Sequence, residues 1–174
     1  MTKTTEPQAY IVSLTDYNNG VLHGVWVELT YGAEHVYEEI EAMLAESPTA
    51  KETGEEAEEW AVHDLEGLGD ITEHDIEELC ELAEGADQYG EAYLLFVENY
   101  GNSLISEFQD SYRGEFNSEV DYAYELIEST GMLDGVDPSI ARYFDYESFA
   151  RDMFMDGFTF IEGKQANHVF DDNF

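Results

Sequence analysis

Acids outnumber bases 41 to 6 in this chain, a formal net charge of −35, and that imbalance constrains the fold more than any motif does. A small domain ordinarily carries a net charge of magnitude about 2–8, and charge this one-sided makes a compact state repel itself. Disordered acidic segments share such a charge but lack aromatics and β-branched residues. Here 43% of the residues are hydrophobic and 14% aromatic, so apolar surface is available for burial and the chain folds. The acids are not gathered in a tail, because the stretches 8–70, 71–115 and 116–174 carry comparable acidic excesses. At 174 residues there is room for one sizeable core, or for two or three small lobes sharing one.

Hydrophobic periodicity predicts an α+β chain. Ala9–Leu14 and Val21–Leu29 are rich in β-formers and flank the turn chemistry of 16–20, which reads as an antiparallel hairpin. Val36, Ile40, Met43 and Leu44 place one apolar face on a helix over Ala33–Glu46. Ser47–Glu58 contains Pro and Gly with almost no large apolar residue, and reads as a mobile loop. Glu59–Leu65 reads as a third strand, and Gly67 and Gly69 close this N-terminal lobe over 8–70.

The stretch 71–115 reads as a central helical lobe. Thr72 and Asn102 look like N-caps, and Gly85, Gly101 and Gly114 look like helix stops. Ile76, Leu79, Cys80 and Ala83 form one stripe, and Leu104, Ile105, Phe108 and Tyr112 line a later helix. In 116–174 a helix is predicted over Ser118–Thr130, with Val120, Tyr124 and Ile127 or Leu126 inward and Gly131 as its stop. Asp137-Pro138 is an N-cap followed by proline at the first helical position. A short helix over Asp145–Met155 and a hairpin of Phe158–Ile161 with His168–Phe170 complete a C-terminal lobe.

No catalytic, cofactor or metal site emerges. With 41 acids no carboxylate pair stands out for acid–base work. His23, His35, His63, His74 and His168 lack the spacing of zinc ligands. Cys80 lies on an apolar helix stripe, which is a core position. An EF-hand fails because Phe154 and Gly163 occupy ligand positions relative to Asp152 and Asp156. A lone cysteine fits a reducing compartment, no run approaches the ~18 apolar residues of a membrane span, and Met1–Pro7 lacks a signal-peptide core. A cytoplasmic protein that binds neither membrane nor nucleic acid is expected, since both surfaces are anionic.

Two readings of the acidity remain: adaptation to high salt, in a structural or adaptor protein, or a polyanionic surface offered to a basic partner. Duplex DNA carries one charge per ~1.7 Å of axis, so the full net charge matches at most about 60 Å of duplex. Helical i, i+4 spacing sets carboxylates ~6 Å apart along one face. Glu34, Glu38 and Glu41 form one such row, Glu73, Glu77, Glu81 and Glu84 a second, and Asp121, Glu125 and Glu128 a third. Solvated helix faces usually interleave Lys or Arg. These rows do not, and that favours the polyanion reading.

Tyr10-Ile11, Leu14, Tyr17-Asn18, Gly20, Leu22, Gly24 and Trp26, the later run Glu59-Trp60-Ala61-Val62-His63-Asp64, and the unbroken segment from Tyr143 to Asp152 occur in an order that resembles the ArdA family of antirestriction proteins. The acidic 47–58 segment and the polar C-terminal tail depart from the pattern. The resemblance implies a non-enzymatic protein of mobile genetic elements that shields incoming DNA from type I restriction–modification enzymes. It implies an elongated homodimer mimicking bent DNA and occupying the methyltransferase core where DNA would lie. It also implies an antirestriction motif and dimer contact between Asp137 and Met155, with Ile140, Arg142, Tyr143, Phe144, Asp145, Tyr146, Phe149, Arg151, Asp152 and Phe154 as its residues.

Overall fold

The computed structural model describes residues 6–69, 71, 75–101 and 103–174. Its contacts divide into two compact units, one ending at Ser103 and the other spanning Leu104–Phe174. The architecture is α+β, with one small antiparallel sheet in each unit.

In the first unit, β1 (Gln8–Ser13) is followed by α1 (Leu14–Asn18) and β2 (Gly24–Glu28). The expected hairpin forms, but its connection is a helical turn. Ser13 caps that turn, its hydroxyl accepting the Asp16 N–H at 3.3 Å. A short 3-10 turn at Leu29–Tyr31 leads to α2 (Ala33–Ala45), which buries Val36, Ile40 and Met43 as its spacing predicts.

The segment read as a mobile loop instead contains α3 (Pro48–Thr53). Its local signals are complete: a Ser47 cap accepting the Ala50 N–H, proline in the first turn, and Gly54 in the left-handed region as the stop. What secures it is tertiary, because the buried Asp16 carboxylate accepts the Thr49 N–H at 2.9 Å. The acids flanking α3 hide this in the sequence. β3 (Trp60–Glu66) then pairs with β1, giving the order β2-β1-β3 with every pairing antiparallel.

Helix α4 (Ile76–Tyr89), capped by Asp75, and α5 (Glu91–Tyr100) complete this unit. The stripe Ile76, Leu79, Cys80 and Ala83 is buried as predicted. Thr72 and Asn102, expected as N-caps, lie outside the described residues. Gly85 does not stop a helix. It lies buried inside α4, where an added Cβ would fall 2.3 Å from the ring of Tyr93, so the glycine admits that ring.

The second unit begins with α6 (Ile105–Ser111) and β4 (Tyr112–Glu115), both expected in a central helical lobe. The sequence alone reads β4 as the end of a helix, because four residues are too few to show alternation. Its position is set by antiparallel pairing with β6, with a bulge between Tyr112 and Gly114, so Gly114 lies in a strand. α7 (Glu119–Thr130), α8 (Pro138–Ala141) and α9 (Tyr146–Asp156) follow, capped by Ser118, the expected Asp137, and Asp145. β5 (Phe158–Glu162) and β6 (Asn167–Asp171) form the predicted hairpin, giving the order β4-β6-β5. α7 buries Tyr122, Ala123 and Ile127. Tyr124, expected inward, is 53% exposed and packs outside the core against Tyr146 at 5.1 Å.

Candidate functional site: carboxylate rows and an exposed aromatic segment

The first two acidic rows lie on helices whose opposite faces fill the core. Glu34, Glu38 and Glu41 are exposed on α2, and Glu77, Glu81 and Glu84 are exposed on α4. Glu73 of the second row lies outside the described residues. α2 and α4 pack against one another, and Tyr37 joins their rows. It sits three residues after Glu34 and four before Glu41, on the same helix face. From there its hydroxyl donates to the Glu77 carboxylate, 3.2 and 3.1 Å from the two oxygens. Burial, the Glu77 hydrogen bond and the charges of Glu77 and Asp75 all push the Tyr37 hydroxyl above its ordinary pKa, so it remains the donor. Trp60 meets Tyr37 edge-on at 6.3 Å.

Tyr37 is the residue that sequence reasoning missed. Its signal was present as a large aromatic inside a row of acids, but its partner lies 40 positions away.

The third row, Asp121, Glu125 and Glu128, is exposed on α7 in the second unit. It begins at the helix N-terminus, where carboxylates are favoured by the helix dipole, and the Asp121 N–H is capped by Ser118 at 3.1 Å. Neutralising bases are scarce near any of these rows. From Glu52 to Tyr112 the chain has no Lys or Arg. Lys51 is held by Glu46 at 2.6 Å, and Arg113 by Asp171 at 2.8 Å. Beside the α2 row lies a groove of about 570 Å³, lined in part by Glu41, Leu44, Glu55, Glu56 and Glu58 together with Lys51.

The segment from Asp137 to Met155 separates into two sets of side chains. Phe144 packs against Tyr146 and Phe149, with ring centroids 4.9 and 5.5 Å apart, and Phe154 packs against Tyr122 and Phe158. Asp145 caps α9, accepting the Ser148 N–H at 3.0 Å and its hydroxyl at 2.7 Å. Those hydrogen bonds hold its carboxyl below the ordinary range.

Ile140 and Tyr143 face solvent instead, 64% and 77% exposed. The Arg142 guanidinium lies over the Tyr143 ring at 5.1 Å, and Arg151 pairs with Asp152 at 3.1 Å. The structure therefore packs Phe144, Tyr146, Phe149 and Phe154 against their own unit and leaves Ile140 and Tyr143 outward.

Among the described residues no group of His, Cys, Asp and Glu is arranged to hold a metal ion, and no helix is long and apolar enough to cross a membrane. Cys80 is buried, and burial together with the Glu77 charge pushes its thiol up to about 11. A thiol so protonated is a core side chain and a poor nucleophile.

A comparison with curated proteins finds no match. The family described as Antirestriction protein (ArdA) matches residues 9–165. That match starts in β1, runs through the helices bearing all three acidic rows and the aromatic segment, and ends in the turn before β6, so the chain belongs to the ArdA family of antirestriction proteins.

Proposed function

We propose that this antirestriction protein acts as a stoichiometric decoy for DNA. Its carboxylate rows occupy the DNA-binding groove in the methyltransferase core of type I restriction–modification enzymes and deny DNA access to it. The observation that carries this reading is the pair of exposed rows on α2 and α4, joined through Tyr37 and Glu77, with Lys51 the one Lys or Arg in the sequence from residue 4 to residue 112. A groove lined with basic side chains meets regularly spaced negative charge on such a surface much as it does on a phosphate backbone. Many weak contacts share the work, so single acids matter little and clusters matter strongly. The protein works as a homodimer, with the 137–155 segment as the contact. The outward Ile140 and Tyr143 support that assignment.

Competition tests the mechanism. A fluorescent duplex bound to a type I methyltransferase is titrated with the protein at low and moderate salt. Displacement near one equivalent, weakening as salt rises, is the expected result. A folded protein that displaces nothing at either salt, and that unfolds when salt is withdrawn, would instead place the acidity with salt adaptation.

A further inference from the structure

The first sheet has a second face that is buried at Val12 but less covered toward Gln8, Tyr10 and Trp26. Ala9, Ile11 and Val27 point into the core and are buried. Alternation along the strands sends Gln8, Tyr10, Trp26 and Glu28 to the other side. Register sets these residues in two cross-strand rows. Trp26, Tyr10 and Asp64 lie side by side on β2, β1 and β3, and Glu28, Gln8 and Glu66 form the next row. Trp26 is 41% exposed, and Asp64 and Glu66 are exposed as well.

The aromatic pair is built into the sheet. Tyr10 and Trp26 have ring centroids 5.2 Å apart, tilted by 36°. The Tyr10 ring also reaches over Gly24, where an added Cβ would lie 3.1 Å from Tyr10 Cζ and 2.9 Å from Val12 Cγ1. The same Cβ would fall 2.5 Å from the Ile11 carbonyl oxygen, so glycine at 24 admits both the β1 backbone and the Tyr10 ring. Gln8 spends its amide on Glu66 at 2.8 Å, and Thr30 donates to Glu28 at 2.7 Å. The exposed Trp26 ring and the half-buried Tyr10 ring are therefore framed by Asp64, Glu28 and Glu66, and neither row holds a Lys or Arg.

We propose that this outer sheet face receives an arginine side chain of a protein partner, its guanidinium stacked on Trp26 and Tyr10 and hydrogen-bonded to Asp64 or Glu28. Arginine is specified by the chemistry. Its planar, weakly hydrated cation stacks on aromatic faces and forks to carboxylates, whereas a lysine ammonium is a strongly hydrated point charge that gains less from a ring. The acidic rows attract any cation, while this face discriminates between the two. The inference stands on the sheet alone and does not depend on the partner being a type I enzyme.

The test uses the full chain with Trp60 replaced (Trp60→Phe), leaving Trp26 as the tryptophan that reports, and two probes of equal charge, tetra-arginine and tetra-lysine peptides, at moderate salt. Tetra-arginine should change Trp26 emission saturably and bind about threefold tighter than tetra-lysine, the range of an exposed cation–π contact. In calorimetry on the otherwise unaltered chain, Trp26→Thr should abolish that preference while leaving charge-driven binding of both peptides. Asp64→Asn, exposed and without a role in the core, should reduce the preference and provides a check if the tryptophan variant misfolds. Equal affinity for the two peptides, or Trp26 emission indifferent to saturating tetra-arginine, would overturn the proposal. Displacement of DNA from a methyltransferase is a separate measurement, so either reading can fail without the other.

Discussion

Asp16 is fully buried in a chain whose other acids are mostly exposed. Burial raises its pKa, but the Thr49 N–H, donating to Oδ1 at 2.9 Å, and the neighbouring Ser13 and Ser47 hydroxyls outweigh that effect and hold the carboxyl well below its ordinary range. A carboxyl with a depressed folded-state pKa contributes stability that is complete above its unfolded pKa of about 4 and is lost as pH falls below it. Asp16→Asn should therefore cost about 1–3 kcal/mol in urea unfolding. The cost should be constant between pH 8 and 5 and should shrink only below about 4. Gly85 gives a second prediction at this scale. Alanine is ordinarily worth ~1 kcal/mol over glycine inside a helix, yet Gly85→Ala should destabilise by about 1–3 kcal/mol through overpacking against Tyr93, read as a lower unfolding midpoint.

At the scale of elements, α2 divides its work between two faces. Val36, Ile40 and Met43 hold it to the core, and Glu34, Glu38 and Glu41 repel one another on the outside. Replacing those three acids together by glutamine should leave the fold intact. At low salt it should raise stability by a few tenths of a kcal/mol for each like-charge pair relieved. The same variant should weaken displacement of DNA from a methyltransferase by about tenfold, summing three modest surface contributions. Greater stability with unchanged displacement would remove α2 from the contact surface. α3 shows how an element escapes notice: its cap, proline and stop are all in the sequence, but its anchor is the Asp16 carboxylate 33 positions earlier.

On the scale of the whole molecule, the chain keeps two of its six bases within one short segment, at Arg142 and Arg151. Arg142 covers Tyr143, which lowers the negative charge beside that outward side chain, and Arg151 pairs with Asp152. Where two polyanions meet, that reduction matters most. Arg151→Glu should shift sedimentation toward monomer, most clearly at low salt where screening is weakest. A sedimentation profile unchanged by the substitution would count against the proposed dimer contact at this segment.

Much of this protein was legible one residue at a time. Periodicity located β1, α2, β3, α7 and the final hairpin, caps and glycines marked α8 and the ends of α5 and α7, and the charge ratio with the ordered matches to ArdA identified the family. These features are local or compositional, so they survive without coordinates. The tertiary structure decided what depends on partners far along the chain. It folded 48–53 onto Asp16, buried Gly85 against Tyr93, drew Tyr112–Glu115 into a sheet with β6, and turned Tyr124 outward. It also tied Tyr37 to Glu77 and set Trp26 beside Tyr10 over Gly24. In each case the deciding contact spans several turns or strands, and hydrophobic spacing carries no record of which distant side chain will arrive.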